Sequence, residues 1–317
     1  MKLIFILYFL GSAGLYSDST SSTSGFTFLK LPFGSSRMQG LGGNGVSLLE
    51  GSDAVNINPA GIGFSQMNEF SFSYINWIED YTGKYVSYIK PYGMFVLGVS
   101  GAYFSTEGFE ARDENGVTIN SDEIKFKNML ASIAVAKSFF MEKFSIGVSL
   151  KWLGEDRYFK KENGAVYDVG GVIKLSRWFR IGASKQNISS DNTKIVDAVR
   201  YGASIIFSDY LLVTADSVKF TDSKAKTGFG AEMTIPEQVL QYGRFTVRFG
   251  YRQSPDYGKN YDDSTLKKLG LDDVSGWSFG IGLYSSQING KGFGFEYSFT
   301  PYGELGKTSQ MSFRFQF

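Results

Sequence analysis

Four adjacent carboxylate pairs, Asp113-Glu114, Asp122-Glu123, Asp262-Asp263 and Asp272-Asp273, are the groupings in this chain whose types fit acid–base or cation chemistry. They fall in polar stretches between apolar ones, where they read as solvated loop charge rather than as catalytic dyads. The sequence contains no His, so Ser-His-Asp and Cys-His catalysis and His-ligated metals are excluded. It contains no Cys, so it is not a small disulfide-stapled domain. The residues therefore point away from an enzyme and imply neither cofactor nor metal. A second set of charges is more informative. Lys151, Asp168, Arg180, Glu232, Arg248, Arg252, Glu296 and Arg314 occupy the polar positions of segments in which large apolar and small or polar residues alternate. Alternation is the signature of a β-strand with two unlike faces. If the apolar face met lipid, turning Arg or Lys onto it would cost about 2–4 kcal/mol. These charges are therefore expected to line an interior, with Glu232–Arg248 and Glu296–Arg314 as cross-strand ion pairs that brace and wet it.

The elements that must position these charges can be read along the chain. Phe144-Ser145-Ile146-Gly147-Val148-Ser149-Leu150-Lys151-Trp152 alternates strictly, and so does the ending Met311-Ser312-Phe313-Arg314-Phe315-Gln316-Phe317. The pattern predicts fourteen strands: 68–78, 84–92, 93–105, 127–139, 144–158, 165–176, 179–188, 198–208, 211–220, 227–235, 245–255, 276–286, 292–302 and 309–317. Most suit the roughly 9–11 residues that a tilted strand needs to cross hydrocarbon, whereas soluble strands average about 5–6. A soluble chain ending on an aromatic strand would leave a sticky edge, and a closed barrel removes that edge. The expected fold is all-β: a closed antiparallel transmembrane barrel whose outer face meets lipid. Short turns at Pro91, 141–143, 177–178 and 209–210 alternate with longer polar loops at 106–126, 159–164, 189–197 and 256–275. That asymmetry belongs to outer-membrane barrels with inner turns and outer loops. Trp77, Tyr103, Trp152, Trp178, Trp277 and Tyr302 suit aromatic girdles at the membrane interfaces. The net charge of +1 argues against a nucleic-acid partner.

Lys2, the apolar run 3–10 and the small residues 11–14 read as a secretory signal peptide over 1–19, cleaved within 14–20. The chain is then exported to the outer membrane of a Gram-negative-type bacterium. Residues 20–67 do not alternate. Asn58-Pro59 has the chemistry of a helix start, with Asn as cap and Pro in the first turn. Such a segment cannot stay in lipid, so it lies in the periplasm or inside the barrel formed by 68–317.

Two resemblances follow from these residues. The aromatic ending with Phe313, Phe315 and Phe317 resembles the terminal signal that outer-membrane proteins present to the barrel-assembly machinery. The stretch Arg37…Leu41-Gly42-Gly43-Asn44-Gly45…Asp53-Ala54-Val55…Asn58-Pro59-Ala60-Gly61-Ile62 resembles the N-terminal signature of the PorV/PorQ family, within the FadL-type channels. The resemblance implies an N-terminal plug, or hatch, containing Asn58, Pro59 and Ala60, with Gly42, Gly43 and Gly61 permitting close backbone packing. It implies passive passage of hydrophobic small molecules such as long-chain fatty acids. The alternative it carries is a PorV-like role in type IX protein secretion, shuttling a secreted cargo protein. FadL-type members pass ligands through a gap beside a kinked third strand, and Gly98 and Gly101 here are placed to permit one.

Overall fold

Alternation of this kind leaves each strand half apolar and half polar, and a closed sheet is the arrangement that separates the two halves completely. The computed structural model describes residues 25–31, 33–78, 80–106, 108, 115, 118, 125–157, 160–189, 195–241, 243–253, 276–288, 291–302 and 306–317. The expected signal peptide, the four carboxylate pairs and most of the two longest expected outer loops lie outside them. Fourteen antiparallel strands close into one barrel. They are β1 (Glu69–Asn76), β2 (Thr82–Tyr92), β3 (Phe95–Ser105), β4 (Phe126–Phe139), β5 (Phe144–Arg157), β6 (Lys160–Lys174), β7 (Phe179–Ile188), β8 (Ala198–Ser208), β9 (Leu211–Phe220), β10 (Lys226–Ile235), β11 (Arg244–Arg252), β12 (Trp277–Ile288), β13 (Lys291–Pro301) and β14 (Lys307–Gln316). Closure is made by β1 and β14, where Phe72 faces Phe313 and Phe70 faces Phe315. No edge remains.

The two faces separate as the alternation requires. On β5, Ile146, Val148, Leu150 and Trp152 are exposed on the outside, while Ser145, Ser149, Lys151 and Leu153 are buried inside. Phe313, Phe315 and Phe317 all point outward. A continuous apolar belt around a closed sheet is the geometry of a barrel that crosses a bilayer. Leu150→Arg is therefore expected to cost about 2–4 kcal/mol in lipid. Urea titration of the vesicle-embedded protein measures it, and an unchanged midpoint would mean that this face does not meet hydrocarbon.

One expected loop is strand instead. Residues 160–164 extend β6, with Arg157 opposite Lys160 and Glu155 opposite Glu162. Beyond the lipid no apolar face is needed, so alternation fades there while charge takes over. Lys160 pairs with Glu162 at 2.7 Å and Lys161 with Asp156 at 3.1 Å. The strand-three gap is also not formed. β3 pairs with β2 and with β4 without a register shift. Gly98 faces inward, where a Cβ would lie 3.3 Å from Ile62 and 3.4 Å from Val55, so it accommodates interior packing rather than a kink. Gly101 stands in ordinary van der Waals space between β2 and β4.

At the short-turn end the longest described connection carries a one-turn helix α2 (Glu237–Leu240). Both the first strand and the last open onto this end. The preceding segment, 26–64, crosses the interior. It contains α1 (Ser36–Gly40) and short 3-10 helices at Thr27–Lys30, Gly51–Ala54 and Pro59–Phe64.

Candidate functional site: the lumen and the segment that crosses it

Ser35 starts α1, its hydroxyl accepting from Met38 N at 3.3 Å. The helix ends on Gly42 and Gly43, both left-handed (φ 72° and 75°), where Gly43 N closes onto Met38 O at 2.8 Å. This left-handed ending is one that glycine adopts without penalty. At Gly42 a Cβ would also meet the β11 backbone at Tyr251, 2.8 Å away. Asn58 caps the last turn as its sequence suggests, its Oδ1 accepting from Ala60 N at 3.2 Å. Its amide nitrogen donates to Val46 O at 2.8 Å, and to Gly171 O on β6 (3.2 Å) and Ala183 O on β7 (3.4 Å). The cap is thus also a clamp between segment and wall. Gly61 lies where a Cβ would fall 2.3 Å from Leu49 O.

The wall is recessed to receive this corner. A Cβ at Gly147 would lie 2.4 Å from the Pro59 carbonyl carbon, and one at Gly170 would lie 2.0 Å from Asn58 Oδ1. Gly182 clears Val46 and Ser47 in the same way, and Gly230 clears Leu41. Inward glycines on β5, β6, β7 and β10 therefore form the mould in which the segment lies.

Ion pairs tie the segment to the wall on all sides. Arg37 donates from Nε and Nη2 to the two oxygens of Glu232, both at 2.8 Å. Glu232 also accepts from its cross-strand partner Arg248 at 2.7 Å. Arg248 reaches on to Glu296 at 3.0 Å. That second contact spans β12, and Gly280 and Gly282, opposite Arg248 and Glu296 respectively, leave the way clear. The expected Glu296–Arg314 pair is replaced. Arg314 faces Gly294, not Glu296, and it bonds to Asp53 of the segment and lies 3.5 Å from Glu69. Burial pushes the Asp53 carboxyl up, with Arg314 pulling the other way. Arg252 donates to Gly43 O at 2.8 Å, Arg180 to Glu50 at 2.8 Å, and Lys151 pairs with Asp168 at 2.6 Å with both side chains buried.

Two anchors escaped the sequence reading. Asp216 accepts from Gly45 N at 2.5 Å and Val46 N at 2.8 Å, and Glu69 accepts from Ser52 N at 2.7 Å. Both stand on the inward register of their strands, which the alternation of Val213/Ala215 and of Phe70/Phe72 already defines.

The lumen has two unlike ends. Towards the long-loop end, Phe26, Phe28 and Phe33 of the segment pack into a pocket of wall residues that includes Ile75, Tyr85, Phe104, Leu130 and Leu153. The Phe33 ring lies edge-on to Phe104 (5.4 Å) and to Tyr85 (6.2 Å), and Phe28 lies 5.9 Å from Phe104. Trp77 packs against this cluster and Tyr302 instead of standing free in a girdle, whereas Trp152, Trp178 and Trp277 are exposed on the outside. Towards the short-turn end the interior is polar, with a cavity of about 90 Å³ beside Glu232, Arg248 and Arg314. Among the described residues, no cluster of carboxylates is arranged to hold a metal.

Solved structures share this architecture. The chain is similar to a deltaS2 mutant of the monoaromatic hydrocarbon channel TodX (13% identical, TM-score 0.61, covering 90% of this chain and 97% of that one). It is likewise similar to a Pseudomonas aeruginosa FadL homologue (11%, 0.57, 93% and 99%) and to the Ralstonia pickettii toluene transporter TbuX (14%, 0.57, 90% and 97%). No protein-family model and no curated protein sequence matches it. At such identities the likeness establishes the fold alone: a closed fourteen-strand antiparallel barrel.

Proposed function

We propose that this protein is an outer-membrane channel that binds hydrophobic small molecules, such as long-chain fatty acids, and passes them without an energy source. The observation that carries the reading is the aromatic pocket at the long-loop end, which the chain fills with its own Phe26, Phe28 and Phe33. A pocket lined by Tyr85, Phe104 and Leu130 suits an apolar guest, and such a guest competes with side chains that the segment can withdraw. Three barrels of this fold, TodX, the FadL homologue and TbuX, bear names that denote hydrocarbon, toluene or FadL-type channels. In this reading 1–19 direct export, 20–67 form the plug with its hatch at Asn58, Pro59, Ala60 and Gly61, and 68–317 form the barrel. The ending Phe313, Phe315 and Phe317 addresses the barrel-assembly machinery, and the outer face holds outer-membrane lipid. With β3 closed at Gly98 and Gly101, the segment must move before a ligand can pass.

The second reading, a PorV-like shuttle for secreted cargo, is favoured by the residues of 37–62 quoted above. Labelled fatty-acid uptake in a deletion strain separates the two. Loss of uptake supports the channel, and unchanged uptake with lost surface display of cargo overturns it. A sharper check is Phe33→Ala, which removes the ring that touches both Tyr85 and Phe104 and costs the segment about 3–5 kcal/mol of packing. Binding of a fluorescent fatty acid to the purified variant is expected to tighten at least tenfold. Equal or weaker binding would mean that the phenylalanines do not occupy the ligand's place.

A further inference from the structure

The polar end of the lumen holds one guanidinium that its ion pairs leave unengaged. The cavity of about 90 Å³ is lined by Arg37, Arg244, Arg248 and Arg314, but by only two carboxylates, Glu232 and Glu296. Arg37 and Arg248 are engaged with those glutamates, and Arg314 with Asp53 and Glu69. Arg244 is different. Among the described residues it has no ion pair, and its guanidinium carbon lies over the Tyr284 ring, 4.5 Å from the ring centre. The ring is itself fixed, since Tyr284 donates its hydroxyl proton to Gln316 at 2.5 Å. This cation–π contact tethers the guanidinium while leaving its N–H fork without an ion-pair partner. Across the cavity stands Ser71, which faces Arg314 from β1; its hydroxyl is buried and has no partner among the described residues. An unpaired guanidinium fork and an idle hydroxyl donor on one cavity suit an acceptor with two oxygens in one plane. The site is also reachable. Arg37, Arg244 and Arg314 also line a second recess of about 430 Å³, together with Gln66 and Met67 next to the start of β1.

We infer that this cavity is a carboxylate-binding site, with Arg244 as the principal ligand and Ser71 and Arg314 completing it. The inference rests on the polar end of the lumen and does not depend on the aromatic pocket or on transport. The carboxylate has two possible sources, a small free acid or the head of an amphipathic one. The test uses the full detergent-solubilised barrel and calorimetric titration with acetate, hexanoate and inorganic phosphate. Saturable acetate binding that weakens at least tenfold in Arg244→Ala supports the site and assigns it to free acids. Hexanoate binding with the same loss, in the absence of acetate binding, supports it and assigns it to amphiphiles. Arg244→Lys, which keeps the charge but not the fork, is expected to recover only part of the affinity. Because Arg244 is exposed and its side chain, among the described residues, is tied to Tyr284 alone, both variants should keep the wild-type heat-modifiable band in electrophoresis. No saturable binding of either acid, binding unchanged in Arg244→Ala, or selective binding of phosphate would overturn the proposal.

Discussion

Gly147→Val is expected to unseat the N-terminal segment while leaving the barrel closed. The added Cβ would lie 2.4 Å from the carbonyl carbon of Pro59 and 2.5 Å from the backbone nitrogen of Ala60. Those are main-chain atoms of a capped turn, so they cannot yield as the tip of a flexible side chain does. The wall cannot yield either, because β5 is bonded on both sides, with fourteen paired positions against β6 from Phe144↔Ile173 to Arg157↔Lys160. The corner must therefore leave. Overpacking costs about 1–3 kcal/mol, and each hydrogen bond lost from Asn58 adds about 1 kcal/mol. A total of roughly 3 kcal/mol raises the population of the displaced segment about a hundredfold. The expected readout is a large rise in single-channel conductance in planar bilayers, with strand content and heat-modifiability unchanged. Gly171→Ala serves as a control, since a Cβ there meets only Ser145 O at 3.8 Å. Equal conductance in Gly147→Val and the control would show that this contact does not hold the lumen shut.

The barrel was legible because one rule, alternation, fixes strand position and facing at once. Each of the fourteen segments predicted from Phe70/Phe72/Tyr74 to Phe313/Phe315/Phe317 has its strand, and the facing of each charge follows from its neighbours. Legibility failed where lipid no longer imposes the rule, as at Lys160-Lys161-Glu162, which reads as loop and forms the start of β6. The interior was only half legible. Glu232 and Arg248 stand opposite one another on sequential strands, so counting finds them. The reach of Arg248 over β12 to Glu296 depends on a glycine at 282 that matters only in three dimensions. The partner of Arg314, Asp53, lies 261 positions away on a segment with no period at all, and nothing local links the two. Asn58-Pro59 announced a capped turn from its own chemistry, but the carbonyls it clamps belong to β6 and β7. Local chemistry is written locally, whereas the meeting of segment and wall is written in the shape of both.

Arg314→Ala carries the largest expected stability effect. Arg314 is the cation between Asp53, whose side chain is 2% exposed, and Glu69, at 5%. Burial alone is weak evidence that an ion pair stabilises a fold, but removing one partner strands the other charges in a poorly solvated place, at a cost of about 3–5 kcal/mol. Here two carboxylates are stranded, and among the described residues only Glu69 keeps other donors, from Ser52 N at 2.7 Å and Gln316 Nε2 at 2.6 Å. The deficit should depend on pH in a definite sense. Burial already holds the Asp53 carboxyl above its ordinary value, and Arg314 is the leading influence that lowers it. Without Arg314 the folded-state value rises further while the unfolded one stays near 4. A carboxyl whose folded value is raised binds its proton more readily in the folded state, so its penalty is absent at low pH and grows as pH rises through the raised value. Arg314→Ala should accordingly be close to wild type at pH 5 and fall well below it at pH 8, by urea titration in vesicles at each pH. Adding Asp53→Asn to the variant removes the charge that titrates, so the double variant should recover stability at pH 8 and lose most of the pH dependence. A deficit of the same size at both pH values would assign the role of Arg314 to packing rather than to the charge it meets on the segment.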